Sequence, residues 1–341
     1  MTSAHSAIRA PQSEPAGRLC PPHYGYSPRA FARPPEIATD TLYAIGGLYG
    51  NPYALDAIDA MAATEVVPPK RVFNGDFHWF DAEPDLYAEI QRRVVAAPGT
   101  VALRGNVETE IASDDGTAGC GCAYPESVPD DDVERSNAIL ARLRAVARTL
   151  CEGGFHSRRL LGELPMHAVA LVGEARIAVV HGDAWALAGW RFAHDSLHDE
   201  ERAAQLAGAL ELGAVDGYAC SHTCAPALKA FERGFVINNG AAGMANFAGT
   251  SFGVLTRIST RGLPRALERT RLYGLFDAGC FVDALKIEFD LAAWLARFDA
   301  IWPADSPAAV SYRRRILEGP AFTIDQALGR APAAICRPAT A

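Results

Sequence analysis

Short apolar runs in this chain stop repeatedly at small polar clusters. Arg71–Phe73 runs into Asn74-Gly75-Asp76, and Val101–Leu103 follows suit with Arg104-Gly105-Asn106-Val107-Glu108. Ile177–Val180 ends at His181-Gly182-Asp183, and Gly217–Cys220 at Ser221-His222-Thr223-Cys224. Phe235–Ile237 ends at Asn238-Asn239-Gly240-Ala241-Ala242-Gly243. Runs of this length and composition are strands, and the glycine and polar residues punctuate them. Each cluster therefore sits at the C-terminal end of a strand, the edge of an open sheet where ligand sites gather.

Between the strands lie helical patterns. Thr41–Ile45 reads as a buried strand, and Pro52–Thr64 as a helix with Ala54, Leu55, Ile58 and Met61 at helical spacing. Pro84–Ala97 carries Leu86, Ile90 and Val94 four apart; Thr100–Leu103 is a third strand. Ser113–Asp132 is a Gly-, Asp- and Cys-rich loop before a helix over Val133–Leu150. Met166–Val172 and Arg176–Val180 form a hairpin across Gly173-Glu174, and Asp199–Leu212 is a further helix. Ser251–Ser259 is the last strand of this block. Strand–helix units mixed with a hairpin fit an α/β chain of two packed sheets with helices outside.

Residues 1–38 are rich in Pro, Ser, Ala and Arg without periodicity and read as an irregular arm, with Cys20, His23 and Tyr24 on its surface. The main domain is expected over 39–265, with 109–165 as a cap or loop insertion. Residues 266–341 read as an α/β extension on the same domain: a strand at Ala284–Phe289, a helix at Leu291–Asp299, and another from Asp305 to Gly319, capped by Ser306.

Of the 341 residues, 49% are hydrophobic and 21% charged, which suits a globular core. No apolar run reaches the ~20 residues of a membrane span, and Met1–Gln12 lacks the apolar segment of a secretory signal, so a cytoplasmic location is expected. A net charge of −8 argues against general nucleic-acid binding but leaves an anionic substrate open, since metal ions can supply positive charge locally. Eight cysteines in such a chain read as thiols or metal ligands rather than disulfides.

Asp, Asn and two His at neighbouring strand ends offer carboxylate, amide and imidazole donors, a set suited to Mn, Fe or Zn, with Mg possible. The order of the clusters, with Gly46-Gly47-Leu48-Tyr49-Gly50-Asn51 ahead of them, resembles the calcineurin-like metallophosphoesterase family, whose first motif is usually D-x-H-G-N. The resemblance covers residues from about 41 to 260. It implies a four-layer α/β/β/α sandwich of two mixed sheets flanked by helices, and hydrolysis of a small-molecule phosphoric ester by two bridged metals. It also implies that Asp76 is the bridging ligand, with Asn106, His181 and His222 completing one metal.

The second metal's ligands fall at Gly47, Tyr49 and Cys224 here, so all three departures strike one ion. The count of ions, one or two, stays open. Cys224 and His78 are candidate extra ligands, Tyr49 a phenolate ligand or hydrogen-bond donor, and Cys120–Cys122 a metal or redox pair or simply two small thiols. Arg104 is the nearest basic residue for a phosphate, and Val107 stands where many relatives carry a proton-donating histidine. The runner-up function is a non-catalytic phosphate-binding or scaffold protein; an iron centre using Cys224 is a third. His167 reads as a core residue, His194 and His198 as solvated or capping, and His5 and His156 as uninformative. Trp185 and Trp190 read as packing residues, and Arg313–Arg315 as a solvated helix face that could also meet a phosphate.

Overall fold

The computed structural model describes residues 15–330. His5, the rest of the arm up to Glu14 and the tail from 331 lie outside the described residues. In chain order, β1 (Ile37–Thr39) and β2 (Thr41–Ile45) lead to α1 (Pro52–Ala62), β3 (Lys70–Asn74), α2 (Pro84–Val95), β4 (Thr100–Leu103) and α3 (Asn106–Ala112). Next come α4 (Asp130–Glu152), α5 (Ser157–Glu163), the hairpin β5 (His167–Val172) and β6 (Ala175–Val180), then α6 (His194–Leu197) and α7 (Glu200–Gly213). β7 (Gly217–Cys220), β8 (Ala227–Ala230), β9 (Phe235–Asn238), β10 (Gly253–Ser259), β11 (Arg271–Asp277) and β12 (Cys280–Ile287) precede α8 (Leu291–Ile301), α9 (Pro307–Glu318) and α10 (Ile324–Ala327).

The strands form two six-stranded mixed sheets, ordered β11-β12-β10-β2-β3-β4 and β1-β5-β6-β7-β9-β8. Alternation of side chains explains the four layers. In the first sheet Leu42, Ala44, Val72 and Leu103 face Ala170, Ile177, Val179, Ala219 and Ile237 of the second. Their chain neighbours Tyr43, Ile45, Phe73 and Ala102 face α1, α2 and α8. On the far side Val169, Ala178, Val180 and Tyr218 pack under Leu206 and Leu210 of α7. A one-residue register slip would reverse every assignment, so two buried faces fix the register.

β2, β3 and β4 run parallel, as do β6, β7 and β9. Their C-terminal ends come together, and Asn74 Nδ2 donates to the Val180 carbonyl at 2.7 Å, tying one sheet to the other where the polar clusters begin.

Two segments differ from expectation. Residues after 265 are more than an addition: β11 and β12 complete the first sheet, β12 pairing with β10. The arm, though irregular, is docked. Tyr24 is fully buried, its hydroxyl donates to Glu110 Oε1 at 2.8 Å, and its carbonyl accepts from Leu187 N at 3.0 Å. β1 adds to the second sheet beside β5.

One buried ion pair links the turn after α1 to β10. Arg257, fully buried, makes two bonds to the Glu65 carboxylate, at 2.7 and 3.1 Å, and Tyr43 donates to the same group at 2.8 Å. Glu65→Ala leaves that guanidinium uncompensated and is expected to cost about 3–5 kcal/mol in urea unfolding, whereas a loss under about 1 kcal/mol would show the pair to be dispensable.

Candidate metal centre

The loop after β3 turns through two left-handed residues, Gly75 (φ 78°) and Asp76 (φ 52°). For an aspartate this conformation is strained and must be held from outside. The holder is Glu108 of α3. Its buried carboxylate accepts from the backbone N–H of Asp76 at 2.8 Å, Gly105 at 2.9 Å, Phe77 at 3.0 Å and His78 at 3.3 Å. The glycines are steric necessities: a Cβ on Gly75 would lie 2.5 Å from Gly105 N, and one on Gly105 2.3 Å from Asp76 Oδ1.

Hydrogen bonds outside the cluster decide where its lone pairs point. His181 Nδ1 donates to the Asn74 carbonyl at 2.8 Å, which leaves Nε2 as the inward atom. His222 Nε2 donates to the Cys122 carbonyl at 3.0 Å, which turns Nδ1 inward. Asn106 Nδ2 donates to the Cys120 carbonyl at 2.9 Å, which fixes Oδ1 inward. His181 Nε2 then lies 3.0 Å from Asn106 Oδ1, 3.2 Å from His222 Nδ1 and 3.4 Å from Asp76 Oδ2. The ligand atoms of Asp76, His181 and His222 all fall within 4.8 Å of one another.

Four acceptor atoms aimed at one point repel unless a cation or proton sits among them. Tetrahedral donors bonded at about 2.1 Å are about 3.4 Å apart, so these separations suit a divalent ion with nitrogen and oxygen ligands. In its absence a proton serves. Burial would keep His181 neutral, but the Asp76 carboxylate overrides it and raises the imidazole above its ordinary range. Asp76 falls correspondingly below its usual value, despite its burial, under the influence of His181.

The other half of the expected two-metal site is filled by protein. Tyr49 (φ 54°) swings its ring into the space a side chain at position 47 would take: a Cβ on Gly47 would lie 2.2 Å from Tyr49 Cζ. The Tyr49 hydroxyl meets Cys224 Sγ at 2.5 Å, and Cys224 is also left-handed (φ 54°). Burial raises the pKa of both groups, so both stay protonated and neutral near pH 7. The last cluster locks this arrangement: Asn51 caps α1 and donates to the Gly243 carbonyl at 2.9 Å, and a Cβ on Gly243 would strike Leu48 O.

Of the residues singled out by sequence, Asp76, Asn106, His181 and His222 are thus brought together. Arg104 and His78 do not join them. Arg104 donates to the Gly162 carbonyl at 2.8 Å and lines a separate cavity with Arg33 and His167. His78 is buried, bonded to Asp81 at 2.6 Å and stacked on Tyr87 at 3.9 Å between ring centroids. Cys224 is engaged with Tyr49 and lies outside the three-residue ligand group. Cys120 and Cys122 are buried free thiols whose backbone carbonyls both serve the site, and Cys122 Sγ also accepts from Asn106 Nδ2 at 3.5 Å.

A cavity of about 310 Å³ opens onto the cluster, walled by Trp79, Tyr124, Trp190 and Tyr312 and reached by Arg315. Sequence reading misses Tyr312, and it takes Arg313–Arg315 for a solvated helix face that could also meet a phosphate; α9 delivers Tyr312 and Arg315 to the cavity from far along the chain. Trp190 does reach the cavity, its indole N–H donating to the Cys122 carbonyl at 3.1 Å.

No family model matches the sequence, and no curated protein matches it. Solved structures do. A hypothetical protein of Pyrococcus horikoshii superposes with a TM-score of 0.56 at 16% identity, covering 84% of this chain and 100% of the other. A metallophosphoesterase from Sphaerobacter thermophilus gives 0.50 at 15% identity, with 80% and 98% covered. The chain has the calcineurin-like phosphoesterase fold.

Two measurements probe this geometry. Gly47→Ala should cost about 1–3 kcal/mol by collision with Tyr49, and a Tyr49→Ala background should remove more than about 1 kcal/mol of that cost; strict additivity would contradict the packing described. The second concerns pH in metal-free protein. Burial first, then His181, push His222 down to about 4 from an ordinary 6.5. The unfolded chain binds a proton on this ring across that window and the folded chain does not, so His222 lowers stability progressively, by up to about 3 kcal/mol, as pH falls from 6.5 to 4. His181, with its raised pKa, acts oppositely: its contribution is complete below 6.5 and fades as pH rises through its folded value. Metal-free His222→Gln should therefore lose less stability than wild type between pH 6.5 and 4.5, and equal losses would refute the assignment.

Proposed function

We propose that this chain is a metal-dependent phosphoric-ester hydrolase that works with a single divalent ion. The observation that carries the reading is the convergence of four donor atoms, three of them turned inward by hydrogen bonds to outer carbonyls, beside a second half-site filled by Tyr49 and Cys224. Asp76, Asn106, His181 and His222 would hold the ion, with Mn, Fe or Zn best suited to one carboxylate, one amide and two imidazoles, and Mg possible. When bound, such an ion supplies a more acidic water and positive charge for a phosphoryl oxygen.

The chain's own residues set the rest. Asp76 fixes the near face of the cavity, with Val107 N donating to its Oδ1 at 3.3 Å. The cavity's dimensions suit a small-molecule ester, and its aromatic walls exclude water from one side. Val107 supplies no proton, so a leaving group must depart without a histidine acid, which favours esters of acidic alcohols such as phenols. The same absence favours the second reading, a protein that binds a phosphate-bearing ligand without turning it over.

Elemental analysis with an activity assay separates the two. Wild type should carry about one equivalent of Mn, Fe or Zn, and His181→Ala or Asp76→Asn should lose it, with hydrolysis of an aryl phosphate falling at least about 100-fold. Wild type that holds the metal yet cleaves neither aryl monoesters nor diesters faster than Asp76→Asn would leave only the binding reading.

A further inference from the structure

We propose that Arg315 converts the vacated half of the site into a binding place for the phosphoryl group, a guanidinium standing where a second cation is expected. This rests on reading the site as one for phosphoric esters. α9 carries three consecutive arginines with different fates. Arg313 makes a two-bond pair with Asp299 at 2.8 and 2.9 Å, and Arg314 pairs with Glu318 at 3.0 Å on the surface. Arg315 turns inward to the cavity that also exposes Asp76, Asn106 and His222.

Among the described residues Arg315 makes no ion pair. Its one hydrogen bond runs from Nη2 to the Cys224 carbonyl at 2.7 Å, and its Nε is buried without a partner. Cavity carboxylates do not neutralise it: Asp76 is committed to His181, and Asp132 accepts from Arg135 at 2.6 Å. The side chains beside it, Tyr49 and Cys224, are bonded to each other, and Gly47 has none. A partly buried guanidinium without a counter-ion is costly, and a ligand oxyanion is the group that would complete it. Guanidinium matches phosphate geometrically, presenting parallel N–H donors to two oxygens. Anchorage to the Cys224 carbonyl ties the cation to the segment that follows His222. An anion that meets Arg315 from the side of the donor cluster would therefore sit across the boundary between the two half-sites.

The test is titration of inorganic phosphate into the full-length, metal-loaded protein, followed by calorimetry, with metal content measured in every sample. Arg315→Gln should weaken phosphate by about tenfold or more while metal content stays at the wild-type level. Arg315→Lys, which keeps the charge and guards against a folding defect, should fall between, and Arg313→Gln should match wild type. Phosphate affinity of folded Arg315→Gln within about twofold of wild type would overturn the proposal. A wild-type protein that takes up no metal would instead undo the single-ion reading, and the same titration on metal-free protein would still report on Arg315.

Discussion

Three backbone carbonyls govern this site. Asn74 O, Cys122 O and Cys120 O each accept a hydrogen bond from a ring or amide nitrogen, and in doing so each dictates that the opposite atom of that side chain faces the centre. The tautomers of two histidines and the flip of one asparagine are thus settled outside the cluster. The consequence is a concentration of lone pairs that calls for a cation or a shared proton among them. Burial magnifies the conflict, because water cannot dilute it. Glu108 contributes from the other direction: it collects the N–H groups of the Asp76 loop, and without it the left-handed aspartate would relax away from the histidines. Residues that touch nothing at the centre therefore determine what the centre can hold.

The neighbouring half-site follows the opposite logic. A second ion would need anionic or lone-pair donors facing it, and here a tyrosine and a cysteine spend those atoms on each other. Both stay neutral because burial opposes ionisation. Three of the six left-handed non-glycine residues among the described residues, Tyr49, Asp76 and Cys224, mark the strand ends where this rearrangement is held. The segment after residue 265 has a structural part in it: β11 and β12 finish a sheet, Trp302 of the α8 cap donates to the Phe80 carbonyl at 2.8 Å, and Arg135 of α4 bonds Ser311 of α9 at 2.7 Å. That chain of contacts places Arg315 at the cavity onto which the donor cluster opens.

Much of this was legible in the sequence because strand ends and motif residues are local. The strands β2, β4, β7 and β9 match their apolar runs, and the four clustered side chains each follow one of the strands. The misses have physical causes. His78 lies two residues beyond Asp76, a spacing that puts side chains on one face only in extended backbone, and the left-handed turn at Asp76 breaks that alternation. Arg104 sits beside the cluster in sequence yet faces away, since α3 begins at Asn106 and reverses the chain. Three adjacent arginines are nearly indistinguishable on paper, and only the packing of α9 against α4 decides which one turns inward. Tyr24 in the arm gave no periodic signal, because its burial comes from residues distant in sequence: Glu110 on its hydroxyl, and Leu187 and Ala188 beside it.

The Gly-Cys loop shows where residue identity and residue function part. Cys120-Gly121-Cys122 suggests metal or redox chemistry, yet both thiols are buried and free, and burial raises the Cys122 pKa, which weakens it as a nucleophile. What the loop provides is shape. Gly121 is left-handed (φ 67°), and a Cβ there would lie 2.4 Å from the Tyr24 hydroxyl, so only glycine lets the loop pass between the arm and α3. That passage places the two flanking carbonyls against Asn106 and His222. Small buried side chains suit such a position, because anything larger would push the carbonyls off the hydrogen bonds that aim the site. The segment between β4 and β5 is therefore coupled to the donor cluster through its backbone, and the docked arm is coupled to it through that segment.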